Sequence, residues 1–311
     1  MKETVLWLLK GSEAVTIYDK CILFIAKIIY LSSRISLRLT LGKERRAQLY
    51  NKRDLDYGMF WYQCYNILKR NNKNAFLKFK IPKHNLEFYF QNNKDDFIDV
   101  ALRENNIIDE FFRPRQGDTV VDVGAHIGKY SIIASKYVGQ SGQVIAIEAH
   151  PGNLEVLNRN IKLNGLTNVI ALHYVVYSKE TKIKLYLPGQ ESHYTIYNTV
   201  ISSRQNARED TFVEVNANTL DKILEQNGIS DSEVNWMKID VEGAELEVLK
   251  GASNILSNSM DIVIFLEIHN IENGKNLYEP IMDLLEKHNF KVEFEHTYDS
   301  GEKHVILHKQ A

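Results

Sequence analysis

Two groups of residues in this chain have the types and spacing to do chemistry. The first is Val120-Val-Asp122-Val-Gly124-Ala-His126-Ile-Gly128, a β-branched run closed by an acid and followed by two glycines four positions apart. This predicts a strand, a tight turn and a helix start, where backbone N–H groups meet the polar end of a nucleotide-type ligand. Glu148 stands 20 residues after Gly128, at the end of Gln143-Val-Ile-Ala-Ile147. An acid in that place reaches ribose hydroxyls. The second group is Asp240 and Glu242 with Gly243, then Glu267 and His269. Both sets close apolar runs, and open α/β sheets bind ligands at the carboxyl ends of their strands.

The turn narrows the ligand. A dinucleotide fingerprint has glycine two places after its first glycine, so that a pyrophosphate can approach the backbone. His126 occupies that place here, and its side chain obstructs the approach. S-adenosylmethionine carries ribose and adenine without a pyrophosphate. Its amino acid end needs an acid and backbone N–H groups, which Asp122 and the Gly124–Gly128 turn can supply. An ordinary strand-turn-helix without a ligand is the plain alternative. Lys129 and His126 lie in or beside the turn. Lys129 reads equally as a solvated helix residue, and His126 as facing either end of the site.

On the second group, alternation puts Glu267 and His269 on one face. Together they can orient or deprotonate a hydroxyl, and with Asp240 they could make a facial divalent metal site. A structural Glu–His pair is the alternative. Asp240 could instead cap a helix beginning near Ala244, with Glu242 complementing its dipole. Glu245 and Glu247 read as plain helix-surface acids.

These residues need elements to hold them. From Thr119 onward, strands at 120–123, 143–147, 168–172, 236–239 and 262–267 alternate with helices near 129–137, 151–163, 244–256 and 278–288. That rhythm predicts an α/β fold with a mostly parallel, doubly wound sheet. Phe290 to His296 and Val305 to His308 flank Asp299-Ser-Gly301 and read as a C-terminal antiparallel hairpin. Residues 1–70 read as a helical, basic N-terminal extension. Residues 71–311 read as the main domain, with a leading hairpin within 71–95 and a core over 96–311. Asp95 to Phe112 has helical spacing. Ser192 to Arg204 is a polar, aromatic segment between strands and a candidate acceptor loop.

Composition is that of a globular protein: 311 residues, 44% hydrophobic and 25% charged, with a net charge of −2. Bulk charge gives no reason to expect a nucleic-acid partner. Cys21 and Cys64 are the two cysteines, too few and too far apart for a disulfide framework or zinc site. No signal peptide is legible, and a cytoplasmic location is expected. Residues 1–53 hold 11 Lys/Arg and 4 Asp/Glu, a net +7, which leaves −9 for the remainder. The apolar run Cys21–Leu31 within them is shorter than the ~20 residues a bilayer span takes. It reads as a basic amphipathic helix, either packed on the main domain or lying on an inner membrane surface through residues 1–50.

Four segments together resemble the FkbM-type family of S-adenosylmethionine-dependent methyltransferases. They are Val121-Asp-Val-Gly-Ala-His-Ile-Gly-Lys-Tyr-Ser131, Ile147-Glu-Ala-His-Pro151, Met237-Lys-Ile-Asp-Val-Glu-Gly-Ala-Glu-Leu-Glu-Val-Leu-Lys-Gly251 and Phe265-Leu-Glu-Ile-His269. The Ile-Asp-Val-Glu-Gly-Ala-Glu run is the most specific. The resemblance covers about residues 95–311 and implies a Rossmann-like class I methyltransferase fold. It implies methyl transfer, usually to a hydroxyl of a sugar, glycan or other small molecule. It places Asp122, Gly124, Ala125, His126, Gly128, Glu148 and Ala149 around S-adenosylmethionine, and Asp240, Glu242, Glu267 and His269 around the acceptor. One departure is the adenine position near Val175, which is apolar where many such enzymes carry an acid or amide. A nicotinamide-dependent oxidoreductase is the competing enzyme reading. A ligand-sensing or membrane-surface protein is the non-catalytic one.

Overall fold

The computed structural model describes residues 77–81, 84–90, 108, 110–186, 212–269, 277–298 and 301–309. Two compact units divide the chain, residues 1–106 and 107–311. In the first, Leu77–Ile81 (β1) pairs antiparallel with Leu86–Phe90 (β2), the leading hairpin expected from the sequence. The expected helices of residues 1–70, the candidate acceptor loop at 192–204 and most of the 95–112 helix lie outside the described residues.

The second unit is built on a seven-stranded sheet. Thr119–Val123 (β3) is buried at every position, as expected of a strand covered on both faces. Gln143–Ile147 (β4) and then Val169–Leu172 (β5) lie parallel on one side of it. Val234–Ile239 (β9) and then Val263–Ile268 (β10) lie parallel on the other. The chain therefore leaves β3 in one direction and returns on its opposite side, which makes β3 the topological switch point where ligands bind.

The joining helices follow the sequence closely. Lys129–Val138 (α1) buries Ile132, Ile133, Ala134 and Val138. Pro151–Leu163 (α2) starts where Pro suits the first helical position, and the His150 ring caps it by accepting from the Asn153 N–H. Tyr278–Lys287 (α6 of the main unit) buries Ile281 and Leu285. The short helix Leu220–Gln226 (α3) is capped by Thr219.

The helix expected over 244–256 is broken in two, Glu245–Lys250 (α4) and Ser253–Asn258 (α5). At the break Gly251 packs so tightly that an added Cβ would lie 2.2 Å from the Tyr177 carbonyl oxygen. The Asp221 carboxylate accepts the Asn254 and Ile255 N–H groups at 2.9 and 3.2 Å, capping α5 from a neighbouring helix. Asp221→Ala should therefore cost about 0.5–2 kcal/mol, as other lost caps do, read as a lower midpoint in urea unfolding.

Two features were not legible beforehand. Val175–Val176 (β6), Thr181–Tyr186 (β7) and Phe212–Asn218 (β8) form a separate three-stranded sheet in the order β6-β8-β7. The C-terminal hairpin, Phe290–Thr297 (β11) and Lys303–Lys309 (β12), is present and antiparallel. Its second strand lies between β10 and β11, antiparallel to both, so that β11 runs parallel to β10. No described helix is long and apolar enough to cross a membrane.

Candidate active site

The glycine turn and the Asp240 segment meet at the switch point. Gly124 has a left-handed φ of 78°, and a Cβ there would fall 1.8 Å from the Asp240 carbonyl oxygen. Only glycine lets these two strand ends touch. The turn is tied to its neighbours by the N–H groups of Gly124 and Ala125, which both donate to Ile147 O at 3.0 Å. Asp240 N–H donates to Val123 O at 3.1 Å.

Glu148 is buried, with 7% exposure. Its carboxylate accepts the His126 N–H at 2.7 Å and the His150 N–H at 2.8 Å, so it is fixed between the turn and α2. Burial raises its pKa, partly offset by the positive field of His126 and by these hydrogen bonds. His126 is left-handed at φ 53°, a conformation that aims its N–H at Glu148. Lys129, which the sequence allowed as a solvated residue, is buried. Ala149 offers its carbonyl oxygen to His173 Nε2 at 2.9 Å. Val175 is committed to β6, where it pairs with Ala217.

Asp122 Oδ2 accepts the Ser131 hydroxyl at 2.5 Å. Its other oxygen is buried and makes no hydrogen bond among the described residues. Lys238 lies 3.7 Å from it with 6% of its side chain exposed. The Lys238 ammonium also donates to Asp240 Oδ2 at 3.1 Å and to Gly124 O at 3.2 Å, 5.0 Å from the centre of the Tyr130 ring. Burial raises the Asp122 carboxyl against the pull of Lys238 and Ser131. Burial opposes ionisation of Asp240 too, but Lys238 and His269 outweigh it and hold that carboxyl well below its usual range. Lys238 was not singled out from the sequence, yet it is the cation that links the two groups.

Around Asp240 the structure gathers the other three candidates. His269 Nε2 lies 3.9 Å from Asp240 Oδ1, 3.8 Å from Glu242 Oε2 and 3.7 Å from Glu267 Oε1. Burial alone would lower the imidazole pKa. Glu242, Glu245 and Glu267 together raise it well above the ordinary value. Glu267 Oε2 meets His304 Nε2 at 3.0 Å, and His304 Nδ1 lies 3.1 Å from the Tyr298 hydroxyl.

One expectation is overturned. Glu245 is fully buried, not a helix-surface acid. Its Oε1 accepts the Gly243 N–H at 2.9 Å and meets His269 Nδ1 at 2.8 Å. Glu247 is only partly exposed and accepts from Ser178 and Lys250. Asp240 does not cap α4, whose N-cap Ala244 has no side-chain capping bond.

A family model described as the methyltransferase FkbM domain matches residues 122–292, from Asp122 through the Asp240 segment into β11. The chain belongs to the FkbM methyltransferase family. Membership answers the competing dinucleotide reading, and both strand-end groups fall inside the FkbM domain. Among curated relatives, methyltransferase sdnD of Sordaria araneosa is 32% identical over 154 residues, 42% of this chain and 59% of that protein. Methyltransferase 1 of Beauveria bassiana is 26% identical over 226 residues, 69% of this chain and 85% of that protein. The chain thus spans less than two thirds of the first relative. Solved structures of similar arrangement include an FkbM methyltransferase from Methylobacillus flagellatus, with 16% identity, TM-score 0.43, and coverage of 67% of this chain and 46% of that one. Another is fibrillarin of Aeropyrum pernix, a complex with S-adenosyl-L-methionine, with 10% identity, TM-score 0.40, and coverage of 62% and 67%.

Proposed function

We propose that this FkbM domain methylates a hydroxyl of a sugar, glycan or other small molecule, with S-adenosylmethionine as donor. The observation that carries the reading is the convergence of Asp240, Glu242, Glu267 and His269 beside a glycine turn that Lys238 ties to them. S-adenosylmethionine supplies a methyl carbon on a sulfonium that is already a good leaving group. The protein is left to position an acceptor oxygen and receive its proton.

The residues present fit such a donor. Asp122 keeps one buried carboxylate oxygen without a hydrogen bond, suited to an ammonium. Glu148 spends one acceptor site of each oxygen on the backbone, and each oxygen has a second lone pair for a ribose hydroxyl. In the Gly124–Gly128 turn the N–H groups of Gly124, Ala125, His126 and Gly128 are bonded within the protein, so the methionine carboxylate would take the Ile127 N–H. On the acceptor side, Glu267 is positioned to receive a hydroxyl proton. Asp240 and Glu242 would accept hydrogen bonds from neighbouring hydroxyls. A positioned base contributes about 10²–10⁴-fold in rate.

Isothermal titration with S-adenosylmethionine tests the donor assignment. Glu148→Ala removes charged hydrogen bonds worth about 1.5–3 kcal/mol, so affinity should fall roughly 10–150-fold. Unchanged affinity would place the ribose elsewhere. A thermal-shift comparison with NAD adds a second check. The methyl donor at a hundred times its Kd should stabilise by about 2.7 kcal/mol, and stabilisation by NAD alone would defeat the proposal.

A further inference from the structure

We infer that Asp240, Glu242 and His269 form a divalent-cation site, whose ion presents open positions to oxygens of the acceptor. This deepens the methyl-transfer reading and rests on it only for the identity of the acceptor. Each of the three side chains offers one ligand atom, and those atoms all lie within 4.8 Å of one another. The spacing exceeds that of hydrogen bonds. His269 Nε2 has oxygens of Asp240, Glu242 and Glu267 at 3.9, 3.8 and 3.7 Å, all outside bonding range. The ring's close carboxylate contact is with Glu245 at Nδ1; an ion pair at Nε2 as well would draw one of these three carboxylates into contact with that nitrogen. Oxygen and nitrogen ligands about 2–2.5 Å from an ion leave their own atoms separated by distances of this order.

The imidazole is preset for such a role. Nine-tenths of its side chain is buried, and its Nε2 atom has no hydrogen-bond partner among the described residues. Its other nitrogen is locked to Glu245 Oε1 at 2.8 Å, a carboxylate with no exposure. A buried carboxylate behind a histidine fixes the ring's tautomer and orientation and raises its basicity toward a metal. Asp240 is likewise oriented, because Lys238 holds its Oδ2 and leaves Oδ1 on the His269 side. Two carboxylates and one imidazole balance a divalent charge, and the mixed donors suit Mn²⁺ and its first-row neighbours.

Such an ion would lower the pKa of a coordinated hydroxyl. The hydroxyl O–H bond then breaks with its proton passing to Glu267, which forms the new O–H bond and is itself no ligand. Acceptors with two adjacent oxygens, such as vicinal diols, would bind best, because three protein ligands leave more than one position open.

The test is Mn²⁺ titration of chelator-treated protein, followed by loss of the free ion's electron paramagnetic resonance signal. One equivalent should bind. Glu245→Gln, which keeps the volume but weakens the orienting bond, should reduce affinity about 10–100-fold. His269→Ala should abolish saturable binding over the same range. Equal affinity in wild type and His269→Ala, or no binding to wild type, overturns the inference. Thermal midpoints of the metal-free variants separate lost ligation from lost folding, and Asp240→Asn supplies an isosteric second ligand variant that should also lose binding. S-adenosylmethionine titration of the same samples keeps the two readings apart. Donor binding without Mn²⁺ binding sinks the cation site alone, whereas Mn²⁺ binding without donor binding sinks the donor assignment.

Discussion

Lys238→Met should be the most damaging single substitution in the site, lowering stability by about 3–5 kcal/mol. Lys238 is the cation beside two carboxylates, buried Asp122 at 3.7 Å and Asp240 at 3.1 Å. Removing one partner from a buried ion cluster leaves the others as uncompensated charges, and that penalty has this size. For a unit the size of residues 107–311 the thermal midpoint should fall by roughly 6–20 °C. Methionine keeps the length of the stem and its packing on Tyr130, so the loss is electrostatic. Asp122→Asn in the same molecule removes one of the stranded charges and should restore part of the midpoint. A Lys238→Met protein as stable as wild type would mean that the carboxylates are neutralised by something else. Calorimetry of the four proteins in this cycle gives the answer.

Glu267→Gln should leave the fold and donor binding intact and reduce turnover by about 10²–10⁴-fold. The amide keeps the size of the side chain and its place beside His304 Nε2, which meets the carboxylate at 3.0 Å, but cannot receive a proton. The diagnostic pattern is a kcat deficit with an unchanged Kd for S-adenosylmethionine. A matched fall in donor affinity would move Glu267 to the cofactor side. Full activity would hand the proton to another group.

Strand ends were the most legible part of the molecule. β3, β4, β9 and β10 are β-branched or apolar runs closed by a polar residue, and covering on both faces leaves no polar alternation to confuse the reading. The Gly124–Gly128 turn was legible because glycine spacing is a backbone requirement. Lys238 lies inside a strand rather than at its end, yet an ammonium within Trp236-Met-Lys-Ile239 is out of place in a buried strand and signals a partner. Glu245 was misread as surface. It shares a face with Val248 and Leu249, at the i, i+3, i+4 spacing of a buried stripe, so periodicity held the correct answer. His304 could not have been found this way. Its place opposite Glu267 depends on the register of β12 against β10, and a strand's sequence does not name its partner. The break at Gly251 likewise follows from Tyr177, a residue far away in sequence.

The position of β12 also sets an order of events in synthesis. This strand lies inside the sheet, between β10 and β11, and it delivers His304 to Glu267. The glycine turn leaves the ribosome early and His304 leaves late. At roughly 5–20 residues per second the interval is of the order of tens of seconds. Once β10 has emerged, and until β12 follows, β10 presents an unpaired edge able to pair with a neighbouring nascent chain. The half of the pocket assigned to the donor can assemble on the ribosome, but the half assigned to methyl transfer has to wait for β12 to insert.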